Sequence, residues 1–160
     1  MKLFFLLVFL SMPIVVSAQE KTTFIYKNLD KAQELAKKDG KKVLIDFYAT
    51  WCGYCRRMVN EVYTDKTVGT TVDRFYHFVR IDIESEKRVQ FNGKVMTMRE
   101  LAASFGIRST PSYVFLDVQG NPIGAQPGFM PPPMFGLVLS YVGSDAYKSV
   151  KFDEFSKGKL

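Results

Sequence analysis

The stretch V-L-I-D-F-Y-A-T-W-C-G-Y-C, residues Val43–Cys55, decides how this chain is read. Val43–Ala49 is nearly continuously apolar, the pattern of a strand buried on both faces, as in a parallel sheet. Gly53–Tyr63 reads as a helix, with Met58, Val59 and Val62 apolar. Between strand and helix stand Cys52 and Cys55, the only two cysteines of the chain. Such a pair can serve as a structural clip, half of a metal site, a haem anchor or a redox-active dithiol.

Each use makes a demand that the sequence meets or fails. A haem anchor needs His directly after the second cysteine, and Arg56 stands there. A zinc site takes three or four protein ligands. The chain adds a single His, His77, which reads as an ordinary strand-edge residue. A clip across three residues closes a very small loop and removes little entropy from the unfolded chain. That reading stays open but has little to recommend it. The redox reading has support from position. Cys52 falls where the helix begins, and there free N–H groups and the helix dipole stabilise a thiolate. Gly53 permits the tight turn, and Cys55, one turn on, is shielded and placed to act as the resolving thiol.

The rest of the chain sets the frame. Its 160 residues suffice for one domain with a real core. A hydrophobic content of 47% with 24% charged residues argues against disorder. The net charge of +6 is spread over scattered Lys and Arg, with no basic run interleaved with aromatics, so no nucleic-acid partner is expected. At the N-terminus, Lys2 precedes the apolar run Leu3–Leu10, and Val16-Ser17-Ala18 ends in small residues. This predicts a cleaved signal peptide over 1–18 and a single domain over 19–160. The apolar stretch, broken by Ser11, Pro13 and Ser17, is short of the about 20 residues a spanning helix needs. Removing Lys2, the one charge before residue 19, leaves the mature chain at +5. Export permits disulfides to form and persist.

Asp30–Asp39 reads as a surface helix capped by Asp30, with Ala32, Leu35 and Ala36 as its apolar stripe and Gly40 as its stop. A short helical piece is expected near Lys66–Phe75 and a second strand over Phe78–Ile83. Glu84–Val95, polar and Gly-containing, reads as a loop. Thr97 caps a helix over Met98–Phe105, with Glu100 as its capping-box partner. Ser112–Val118 is a third strand, Gln119-Gly120-Asn121 a turn and Pro122–Ala125 a short antiparallel strand. Leu137–Val142 begins a last helix after Pro131-Pro132-Pro133. The order α-β-α-β-α-β-β-α predicts an α/β fold, a central mixed sheet with helices on both faces.

Two segments carry a family resemblance. Val43–Cys55 closely resembles the active-site segment of the thioredoxin superfamily. F-G-I-R-S-T-P-S-Y-V-F-L-D, Phe105–Asp117, is similar to the segment that holds the family's cis-proline. The resemblance spans most of residues 29–143 and extends to secreted bacterial thioredoxin-like proteins with a W-C-G-Y-C motif. It departs in three places. Gly53-Tyr54 replaces the Gly-Pro of ordinary thioredoxin, Glu84–Met96 is longer than usual, and Tyr141–Leu160 runs past the usual end. Gly-Tyr, with Thr before the cis-proline, is similar to the periplasmic disulfide isomerase, whose dimerisation domain this chain has no room for.

The resemblance implies roles. Cys52 is the nucleophile and Cys55 resolves. Asp46 stands alone in an apolar strand, where an unpaired carboxylate is costly to bury. The family carries a buried Asp here, implied to serve proton transfer at Cys55, and Arg80 matches a family Lys beside it. Pro111 is expected in cis, and Thr110 offers its backbone to an extended substrate peptide. Trp51 and Tyr54 flank the cysteines as a substrate surface or as packing. Phe129, Met130 and Met134 are core or rim, mostly core. The implied function is a periplasmic or secreted thiol–disulfide oxidoreductase that reduces protein disulfides as a monomer. It needs no metal or organic cofactor, and a membrane or periplasmic reductant recycles its pair. The alternatives are an oxidant or isomerase of the same fold, or a non-catalytic interaction module.

Overall fold

The computed structural model describes residues 28–157. The signal segment expected over 1–18 lies outside them. Helix α1 (Leu29–Asp39) leads into strand β1 (Lys42–Tyr48). Helix α2 (Gly53–Arg57) continues without a break into a π-helical turn, Met58–Val62. Then come α3 (Lys66–Phe75), β2 (Tyr76–Asp82), the hairpin β3 (Arg88–Phe91) and β4 (Lys94–Thr97), and α4 (Met98–Ser104). Strands β5 (Ser112–Leu116) and β6 (Pro122–Pro127) precede α5 (Pro132–Gly143), and α6 (Phe152–Lys157) ends the described chain.

The main sheet runs β2-β1-β5-β6. β1 pairs parallel with β2 and antiparallel with β5, so the sheet is mixed, as the element order predicted. Both faces are covered, which is why β1 has no polar face. Val43, Ile45 and Phe47 pack with Val79, Ile81, Val114 and Leu116 under α1 and α4. Leu44 packs with Phe78, Tyr113 and Phe115 against Met58, Val62 and Phe135 on the opposite face. Burying each of these large side chains is worth about 1.5–3 kcal/mol. Asp46 lies on the second face, between Tyr113 and Arg80 in the strand register.

Several boundaries differ from the sequence reading. Glu84–Val95 is not a plain loop, because most of it forms the β3–β4 hairpin. Asn92 and Gly93 both take positive φ, 48° and 79°, the two-residue turn that matches strand twist. The hairpin docks on α1, where Gln33 Nε2 donates to Asn92 Oδ1 at 2.5 Å. Asn92 Nδ2 in turn donates to the Gly120 carbonyl at 3.2 Å. Helix α1 starts after Asn28, so Asp30 sits in its first turn and does not cap it. There it still complements the dipole. α5 starts at Pro132, well before Leu137, because proline is tolerated in a helix's first turn, where its missing N–H is not needed. The capping box is present as expected: Thr97 Oγ1 accepts from Glu100 N at 3.0 Å, and Glu100 Oε2 accepts from Thr97 N at 2.7 Å.

Candidate active site

The site forms where β1 ends. Strand and helix meet through Ala49–Trp51, so Cys52 becomes the N-cap of α2. Its Sγ accepts the Cys55 backbone N–H at 3.1 Å, and its carbonyl accepts from Arg56 N at 3.2 Å. The sulfur therefore occupies the place that a Ser or Asp oxygen takes at an ordinary N-cap. Cys52 and Cys55 are joined in a disulfide with a Cα–Cα distance of 5.2 Å. They are 4% and 3% exposed and pack with Ala49, against Tyr48 and Ile83.

The flanking aromatics contrast with this burial. Trp51 is 64% exposed and Tyr54 57%, so neither is core. Trp51 Nε1 donates to Glu84 Oε1 at 2.9 Å, which fixes the indole on the surface. The Tyr54 ring lies 5.9 Å from Phe129, and the Arg57 guanidinium sits over Phe129 at 4.2 Å. Glu61 binds Arg57 through two hydrogen bonds of 2.8 and 2.9 Å. A braced aromatic surface therefore adjoins the cysteines. Of the three residues read as rim or core, Met130 is buried, Phe129 packs partly against the core and Met134 is exposed.

The Thr110–Pro111 peptide is cis, immediately before β5. In the antiparallel register Phe47 faces Ser112, so the Pro111 loop lies at the same end of the sheet as Ala49–Cys52. The Pro111 carbonyl accepts from Gly128 N at 2.8 Å, next to Phe129, and so joins the loop to the aromatic surface.

A buried carboxylate lies on the same strand that leads to the cysteines. Asp46 is 1% exposed. Arg80 Nε donates to its Oδ2 at 2.8 Å, and the guanidinium stacks over Tyr48 at 3.9 Å. Oδ1 accepts no bond of ordinary length and angle, and the Tyr63 hydroxyl acts on the carboxylate as a weaker donor. Burial raises the Asp46 pKa, while Arg80 and Tyr63 pull the other way without cancelling it. Arg80 and Cys55 line one surface cleft of about 230 Å³, together with Tyr48, Arg56 and Asn60. Asp46 is thus linked to this cleft through Arg80, which bonds its carboxylate. Tyr63 and Tyr113 belong to this cluster, and the sequence reading assigns neither of them a role. His77 stands apart, its Nε2 3.0 Å from Asp39 Oδ1.

The arrangement can hold a thiolate at Cys52 and a shielded second thiol at Cys55, with a buried carboxylate, Asp46, on the strand that leads to them. Among the described residues no group of three or more His, Cys, Asp and Glu side chains is placed to hold a metal ion. No helix among them is long and apolar enough to cross a membrane.

Comparison with known proteins agrees with this geometry. A rice chloroplast protein, thioredoxin-like protein HCF164, is 33% identical over 102 residues, 64% of this chain and 34% of its own length. The thiol:disulfide interchange protein DsbD of Cronobacter sakazakii is 28% identical over 114 residues, 70% of this chain and 18% of its own. The chain thus spans about a third or less of these two relatives. A solved thioredoxin-fold protein from Helicobacter pylori superposes with a TM-score of 0.65 at 28% identity, covering 74% of this chain and 79% of that one. The family model for the thioredoxin-like domain matches residues 29–143, which take in the cysteine pair, Asp46 and the cis peptide, and the chain belongs to that family.

Proposed function

We propose that the chain is an exported thiol–disulfide oxidoreductase that reduces protein disulfides through Cys52 and Cys55. The observation that carries this reading is the disulfide at the start of a helix, with Cys52 Sγ accepting the Cys55 N–H. On reduction the same N–H and the helix dipole favour a Cys52 thiolate. That thiolate attacks a substrate disulfide, forms a mixed disulfide and releases the first substrate thiol. Cys55 then gives its proton to Asp46, directly or through a bridging water, and attacks Cys52 Sγ. The second substrate thiol leaves, and Cys52–Cys55 is oxidised by the two electrons the substrate has gained.

Trp51 and Tyr54, exposed beside the cysteines, are suited to hold apolar substrate side chains. In this reading Thr110, which precedes cis Pro111, pairs its backbone with an extended substrate peptide. The chemistry uses the protein's own disulfide and calls for no metal or organic cofactor. A separate membrane or periplasmic reductant restores the dithiol. The apolar run after Lys2 supports export to the periplasm or beyond, with residues 19–160 as the mature domain.

The test is the reduction potential of the pair in defined glutathione buffers, together with insulin turnover by the reduced protein. A potential near about −270 mV fits a reductase, and one between roughly −180 and −120 mV fits an isomerase or oxidant. Cys52→Ser abolishes turnover, and Cys55→Ser accumulates mixed disulfides. If neither variant changes any thiol chemistry, the chain is a non-catalytic module.

A further inference from the structure

Asp46 has company beneath the cysteine helix. Tyr113 is its direct cross-strand partner on β5, so both side chains leave the sheet on one face. Tyr63, just past the π-helical turn, descends onto that face from above. Phe135 of α5 touches both rings, at 6.1 Å from Tyr63 and 4.9 Å from Tyr113. Both tyrosines are fully buried. The Tyr63 hydroxyl has two neighbours to donate to, the Asp46 carboxylate and the Tyr113 hydroxyl. The carboxylate therefore has a fixed cation, Arg80, on Oδ2 and a rotatable hydroxyl, that of Tyr63, acting on it as well.

We propose that Tyr63 is a positioning residue for Asp46, donating to the carboxylate while Asp46 is ionised and turning to the Tyr113 hydroxyl when Asp46 carries a proton. An ionised carboxylate only accepts, whereas a protonated one must also donate. A single fixed donor serves the first state and leaves the second with a buried, unmatched O–H, which is costly. With Tyr63 able to turn, the Asp46 O–H donates to the Tyr63 oxygen and the Tyr63 O–H donates to Tyr113. Both protonation states are then satisfied without water. Burial holds both phenols well above their ordinary pKa, so they hand on hydrogen bonds and do not ionise. The polar groups acting on Asp46 are Arg80 from β2, Tyr113 from β5 and Tyr63 after the π-helical turn, and Phe135 of α5 packs on the two tyrosine rings.

The inference bears on catalysis only through the proposed role of Asp46 toward Cys55, and the experiment separates the two. The Asp46 carboxyl is titrated by carbon-13 NMR in the oxidised full chain for wild type, Tyr63→Phe, Tyr113→Phe and Tyr76→Phe. Tyr63→Phe removes a charge-assisted donor from the ionised form and only a neutral acceptor from the protonated one; the charge-assisted bond is about twice as strong, so the Asp46 pKa rises by about one unit. Tyr113→Phe removes the acceptor used only when Asp46 is protonated, and lowers it. Tyr76, whose hydroxyl donates to the Leu139 carbonyl at 2.7 Å, is a buried control that leaves the titration unmoved. An unchanged titration in Tyr63→Phe overturns the proposal. So do shifts of the same sign in Tyr63→Phe and Tyr113→Phe, or an equal shift in Tyr76→Phe. If the opposite shifts appear but the pH profile of mixed-disulfide resolution does not track them, the positioning stands and the role of Asp46 at Cys55 falls.

Discussion

Asp46→Asn keeps the shape of the side chain and removes its ability to ionise, and the structure fixes the sign of the resulting change in stability with pH. Burial outweighs Arg80, so the folded pKa lies above the ordinary 3.8. Between those two values the folded chain holds a proton that the unfolded chain has released. Wild-type stability therefore falls as pH rises through that window. One group exchanges at most one proton, which limits the slope to about 1.4 kcal/mol per pH unit. Asn has no such loss. The stability of Asp46→Asn relative to wild type should climb from about pH 4, at no more than that slope, and level off above the folded pKa. Leaving Arg80 without its partner adds an offset, but the guanidinium stays charged throughout, so the offset drops out of the slope. Urea denaturation of the oxidised proteins at a series of pH values reads the difference, with equal m-values as the check on comparable unfolding. Oxidation keeps the cysteines from titrating. A variant that loses stability relative to wild type as pH rises would refute the reasoning. Arg80 would then outweigh burial, and the folded pKa would lie below 3.8.

Three further outcomes test other parts of the molecule. Thr97→Ala breaks the side-chain half of the capping box at α4 and should cost about 1 kcal/mol in urea unfolding, with little effect on the reduction potential. Gly143→Ala sets a Cβ 2.6 Å from Cγ of Phe75, so α3 and α5 must part, at about 1–3 kcal/mol in the same assay. Tyr54→Ala removes an exposed ring that leans against Phe129; it should raise KM for insulin several-fold while leaving the rate with a small-molecule disulfide near wild type.

Much of this could be read from the sequence because the strongest local signals agree with the tertiary outcome. Val43–Ala49 is apolar at every position but Asp46 because helices cover both faces of β1, and the cysteine motif stands where strand becomes helix. The capping box at Thr97 works entirely within one turn, so no distant contact was needed to see it. The β3–β4 hairpin escaped because its strands are half exposed and rich in polar residues, with burial alternating weakly along Arg88–Phe91. Its turn signal, Asn92-Gly93, was nonetheless in plain view. The site divides along the same line. Cys52 and Cys55 declare themselves through spacing, and Asp46 through being the wrong kind of residue for its strand. Tyr63 and Tyr113 gave no such sign, since a buried tyrosine and a buried phenylalanine look alike until the fold shows what the hydroxyl meets.

The π-helical turn at Met58–Val62 works as a phase shifter. An α-helix turns by about 100° per residue, so one residue more or less in that turn rotates everything after it by that angle. Residues before it are timed to the cysteines, with Cys55 inward and Tyr54 outward; residues after it are timed to the sheet, with Tyr63 over Asp46. Deleting one residue from the turn would keep the chemistry at the helix start and swing the phenol off the carboxylate. The irregularity lets one short helix obey two incompatible clocks, one set by the thiols and the other by the core.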